Sequence, residues 1–189
     1  MFRKLYFLLF VCILSQAGTV GHAQQLPSPA PGKAMVLILE AFPGSAAGSL
    51  LKFTYFDSAK YLGRTGIGQY LSYECEPGRR LFWVHSGKNR FLEAQLAPDQ
   101  LYIIYAVGSG YMSADVQLIP FDPKGKRAEK MRRNLPKLLL GRKEVKVIEG
   151  AEIPHPKSVA SYLKSGMKAY TRIRTRAKML PFMTPDMHF

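Results

Sequence analysis

Few residues of this 189-residue chain stand at spacings that support bond-making chemistry. Ser161 and Lys164 match a Ser-x-x-Lys pattern, in which a helix holds a lysine one turn from a nucleophilic serine. No Lys-Thr-Gly strand accompanies it, and there is no room for the large α/β domain that surrounds that pattern in enzymes, so chance explains the match. The four histidines, His22, His85, His155 and His188, are far apart and none has an acidic or cysteine neighbour at a metal-ligand spacing. Gly63, Gly66 and Gly68 lack the Lys-Ser/Thr of a phosphate loop and do not fit a dinucleotide fingerprint; a glycine-rich bend accounts for them. We therefore expect no enzymatic activity, no catalytic residues, no metal and no cofactor.

The residues with a chemical role are instead the cations of the C-terminal third. Net charge is +14, and residues 122–189 hold seventeen basic and six acidic side chains, whereas residues 24–121 hold eight and seven. Within the tail, Ser158 can cap a helix running to about residue 178. Val159, Tyr162, Leu163, Met167, Tyr170, Ile173 and Ala177 recur on one face of it, and Lys157, Lys164, Lys168, Arg172 and Arg176 take much of the rest, with Arg174 and Lys178 close by. Two uses of such a helix are open. It can lie on an anionic lipid leaflet or lipopolysaccharide, or its apolar stripe can pack on the rest of the protein while its charges are solvated. The two are compatible if the docked helix keeps its basic face outward. Tyr170 interleaves with Arg172, Arg174 and Arg176 in the manner of a nucleic-acid binder, but the export signal described next argues against nucleic acid as a partner.

Arg3 and Lys4 precede an apolar run over 5–14 and a small-residue region ending Gly21-His22-Ala23, the order of a secretory signal peptide cleaved after Ala23, with Ala17 as the alternative. The run is far shorter than the roughly 20 residues that span a bilayer. Val11 before Cys12 argues against lipid attachment at that cysteine. An exported, periplasmic or envelope-associated chain follows, with Cys75 as its single thiol, inert and partly buried, an intermolecular disulfide being the alternative. Residues 24–32, with Pro27, Pro29 and Pro31, read as an extended linker.

From there to residue 121 the sequence alternates short apolar runs with turn signals. Strands are expected over 34–39, 50–56, 61–62, 69–74, 81–84, 91–96, 101–107 and 111–119, separated by Pro43-Gly44, Asp57-Ser58, Pro77-Gly78, the Ser86 to Asn89 turn and Pro98-Asp99. Seven to eight strands at this spacing predict a mainly β fold, an antiparallel β-sandwich over 33–121, with the basic tail as an extension. The runs at 35–39 and 101–107 are apolar on both faces, so the tail or a second copy of the chain must cover the outside of a sheet. In the tail, 124–134 reads as a basic helix ended by Pro136, 136–140 can form one more turn before Gly141, and 143–149 reads as a short edge strand.

The opening apolar strand, Pro77-Gly78 before a strand, and Leu96 with Pro98 before a strand containing Tyr102 give 33–121 a resemblance. It resembles the small β-sandwich domains of unknown function in bacterial exported proteins and lipoproteins, distant relatives of carboxypeptidase-regulatory and PEGA-type modules. That group has no shared catalytic residues, so the resemblance implies a binding or scaffolding module at the cell envelope with an unidentified protein partner. The alternative is a small-ligand or carbohydrate binder using Trp83, Tyr105 and Tyr111 as loop aromatics.

Overall fold

A computed structural model describes residues 26–41, 52–108 and 115–189. The signal-peptide, Cys12 and Tyr111 expectations fall outside these residues. The strands are β1 (Ala34–Ala41), β2 (Lys52–Asp57), β3 (Lys60–Gly66), β4 (Gln69–Cys75), β5 (Gly78–Ser86), β6 (Lys88–Leu96), β7 (Gln100–Gly108), β8 (Val116–Pro120), β9 (Lys143–Lys146) and β10 (Phe182–Met183); the helices are α1 (Ala128–Leu140) and α2 (Pro156–Thr175). One sheet has the order β8-β7-β1-β4-β9 and the other β10-β6-β5-β2-β3.

The chain is mainly β and forms two facing sheets, but two expectations need correction. The described residues form ten strands, because the tail adds β9 and β10. The sheets are also mixed rather than antiparallel: β1 runs parallel to β7, β4 to β9, and β10 to β6. Local hairpins such as β5–β6, where Gly87 turns with φ +85°, are antiparallel as their short turns require. The parallel pairs join segments distant in sequence, and no turn signal announces them.

Three apolar clusters hold the layers together. In β1, Ala34, Val36 and Ile38 face inward and meet Phe82, Val84 and Leu92 of the other sheet. Met35, Leu37 and Leu39 face outward with Ile103, and Ala128, Leu135 and Leu139 of α1 cover them. On the far side Phe56, Leu81, Trp83 and Phe91 lie under α2. The result is a helix, two sheets and a second helix in succession, which answers the need for cover on doubly apolar strands.

α1 does not stop at Pro136, as the sequence predicts, but runs through it to Leu140. Leu135 and Leu139 are buried, and that docking outweighs the hydrogen bond the proline removes. α2 begins at Pro156 rather than at a Ser158 cap, with His155 before it in the left-handed region (φ 54°). The proline-rich segment is tied down: Leu26 packs in the α1 cluster, and the Ala30 and Gly32 amides donate to Glu74 (2.8 Å) and Asp99 (2.6 Å).

The last residues lace the sheets together. β10 pairs with β6, Met183 is fully buried between the sheets, and the Phe189 amide donates to the Leu101 carbonyl (2.7 Å). The Tyr102 hydroxyl bridges this segment to the β6–β7 turn, donating to the Pro185 carbonyl (3.0 Å) and accepting from the Ala97 amide (2.8 Å).

Candidate functional site

β5 carries four consecutive buried residues from Leu81 to Val84 because both of its faces are covered, and its outward pair Leu81 and Trp83 makes the floor on which α2 sits. Trp83 stacks on Phe56 (centroids 4.0 Å apart) and its indole N–H donates to the Ser58 carbonyl (2.8 Å). Gly166 lies directly over the indole. A Cβ there would stand 2.4 Å from Cη2 and 2.5 Å from Cζ3 of Trp83, so only glycine lets the helix come this close. Tyr162 stacks on His85 (3.9 Å), and the Tyr170 hydroxyl donates to Glu93 of β6 (2.6 Å); burial chiefly, and then this hydrogen bond, raises the Tyr170 pKa.

With the apolar face so committed, the cations face outward. Lys157, Lys164, Lys168, Arg172 and Arg176 are all exposed and follow one another at intervals of seven, four, four and four residues, a single stripe on a helix. A helix of this length spans about 30 Å. Among the described residues none of the five has an ion-pair partner. The other two expected cations are placed differently. Arg174 turns toward the sheet and pairs with Glu93 (3.5 Å), and Lys178 follows the end of the helix beside Met179, which is 97% exposed.

Of the three aromatic residues singled out for ligand binding, Trp83 and Tyr105 lie on different sheets and are not brought together. Trp83 is fully buried beneath α2, which removes it from any loop surface. Tyr105 lies half-buried on the outer face of the other sheet beside the α1 cluster, where burial pushes its pKa up to about 12. Tyr111 lies outside the described residues.

Two buried polar clusters were not legible as such. Glu40 is 3% exposed and points inward from the end of β1; its Oε1 accepts from Thr65 and, at 3.4 Å, from Tyr55, while Oε2 has no hydrogen-bond partner among the described residues. Burial raises its pKa to about 7, against the smaller opposing pull of these hydrogen bonds and of Arg142, which donates to the Glu40 carbonyl (2.7 Å). Asp57, equally buried, accepts from Ser58 (3.3 Å), Tyr73 (3.1 Å) and Arg80 (3.2 Å). Its acceptors are engaged by its own chain, so it acts as a staple between strands rather than as a base. The nearby Cys75 thiol is buried and pushed up to about 11, chiefly by that burial, which makes it a poor nucleophile. Among the described residues no group of three or more His, Cys, Asp or Glu side chains could hold a metal ion.

No protein-family model matches the chain, and no curated protein matches it.

Proposed function

We propose that this protein is an exported, non-enzymatic binding or scaffolding module of the bacterial cell envelope, and that the outward stripe of α2 holds it against a phosphate-bearing surface. One observation carries the reading: four exposed cations on a helix, and a fifth, Arg176, at its C-cap, stand in register while the helix's apolar face is already spent on Trp83 and its neighbours. Solvated charges of one sign repel one another, and an anionic surface relieves that repulsion. Because the apolar face is occupied, contact is electrostatic, with each cation contributing about 1 kcal/mol near an anionic leaflet. Met179 and the half-exposed Phe182 add small apolar points at one end of the stripe. The sandwich behind the helix is the scaffold, in keeping with the exported β-sandwich modules that the sequence resembles.

The test is co-sedimentation of the chain lacking residues 1–23 with phosphatidylglycerol or phosphatidylcholine vesicles across a salt series, with lipopolysaccharide aggregates as a second anionic source. Binding only to the anionic surfaces, falling steeply with salt and weakened by more than about a hundredfold in the triple variant Lys164→Glu, Lys168→Glu, Arg172→Glu, is the expected result. Equal binding to neutral vesicles, or full retention in the variant, refutes it. The two anionic arms tell phospholipid from lipopolysaccharide.

A further inference from the structure

The geometry points to a second binding surface, independent of the α2 stripe: a groove along the open edge of β3 that admits an acidic peptide in extended conformation, which adds a strand to the sheet. Among the described residues β3 is the terminal strand of its sheet and pairs only with β2. Its other edge borders a cleft of about 770 Å³, walled on one side by 60–64 and on the other by 145–155. That volume lies within the range of real binding sites. The length also fits: seven residues of strand at about 3.3 Å each offer an edge of roughly 20 Å, interrupted by the irregularity at Leu62 where the register with β2 shifts.

Other sheet edges among the described residues are less open to pairing. β10 has two residues, β9 has four with Lys143, Glu144 and Lys146 along it, and β8 ends in Pro120. β3 is the longest terminal strand among the described residues; the Gly66 amide at its end donates to Gln69 (2.9 Å), and the outward amide and carbonyl groups before it are the kind that a peptide backbone completes.

Charge and apolar surface define the occupant. Lys52, Arg64 and Lys146 line the groove, are exposed, and have no ion-pair partner among the described residues. Lys60 is neutralised by Glu149 (3.4 Å), which leaves Glu152 as the opposing acid. Lysine and arginine on an edge repel basic strands and leave neutral ones unrewarded, so admission is selective for acidic segments. Ile148 and Ile153 on the far wall are 68% and 39% exposed, unusual for isoleucine, and meet the alternate side chains of an inserted strand. A peptide alternating acidic and apolar residues satisfies all three features.

The probes are fluorescein-labelled heptapeptides alternating Glu with Val, Leu or Phe, titrated with the full chain and followed by anisotropy. Each is paired with a version N-methylated at alternate residues, which keeps charge and side chains but removes the amides along one edge. Saturable binding, at least about tenfold weaker after N-methylation and about fivefold weaker in Arg64→Glu at low salt, with new amide-exchange protection over 60–66, is expected. The absence of binding across the panel, equal binding of methylated and unmethylated peptides, or protection elsewhere overturns the proposal. Displacement of a bound peptide by oligogalacturonate without change at 60–66 assigns the cleft to acidic saccharide instead, and equally overturns it. The triple α2 variant retains peptide binding, so failure of this site and failure of the envelope reading are separable.

Discussion

Between pH 4.5 and 7 the Glu40 carboxyl is protonated in the folded chain and ionised in the unfolded one, because burial raises its pKa from the ordinary 4.5 to about 7. The folded state therefore holds the extra proton in that window, and stability falls as pH rises through it, then levels above 7. The contribution is of the order of 3 kcal/mol at about 1.4 kcal/mol per pH unit. Glu40→Gln removes the ionisation and keeps an oxygen to accept from Tyr55 and Thr65. Melting curves from pH 4.5 to 8 should show a steeper decline in the parent chain, and a variant that melts higher than the parent at pH 8; parallel curves would show that Glu40 does not titrate in this range. The sequence held a signal for this residue. Glu40 shares the parity of Val36 and Ile38, and so points inward, but at the end of an apolar run it reads as a polar terminator. Asp57 hides in the same way, since a carboxylate before serine at a strand end resembles a turn.

At the scale of elements, the closeness of α2 to the sheet rests on Gly166. Glycine inside a helix is unfavourable by about 1 kcal/mol relative to alanine, so a bare helix gains from Gly166→Ala. Here the added methyl meets a fully buried indole at 2.4 Å, and overpacking of a fixed ring costs about 1–3 kcal/mol or forces the helix away. Destabilisation is the expected sign. Trp83 is the chain's only tryptophan, so its emission reads the contact directly: Gly166→Ala should lower the melting temperature and red-shift the native spectrum. An unchanged spectrum with raised stability would show that the helix does not press on Trp83. Helices were more legible than strand pairing. The 3.6-residue spacing of Val159, Tyr162, Leu163, Met167 and Tyr170 marks α2 and its buried face without tertiary knowledge. In α1, local rules at Pro136 mislead because Leu135 and Leu139 are held by the sheet. β10, two residues between prolines, has no local strand signal at all. The parallel partners of β1, β4 and β6 could not be read either, since period-2 alternation specifies faces but not neighbours.

For the molecule as a whole, the change of composition at residue 122 is not a change of packing, since 122–189 supplies two strands and both outer covers. A chain ending at Asp122 uncovers Met35, Leu37, Leu39 and Ile103 on one side and Phe56, Trp83 and Phe91 on the other. Exposing each costs about 1.5–3 kcal/mol, together comparable to the entire stability of about 5–15 kcal/mol typical of a domain. The truncated chain should lack a cooperative thermal transition and bind a hydrophobic dye; a sharp transition with no dye binding would show that the sandwich stands alone. The sequence exposed the need for this cover through its doubly apolar strands, but not how it is shared between the two helices. The lacing of the sheets by the final residues has a temporal side. β1, the first described strand, waits for β7 to be made, and β6, ending at Leu96, waits for β10 at 182–183. Such distant pairings fold slowly. A chain that has emerged only as far as β9 has no Met183 to bury and no Phe189 to fasten at Leu101, so it stays open until 182–189 are free, and the arrival of that segment becomes the event that closes the fold.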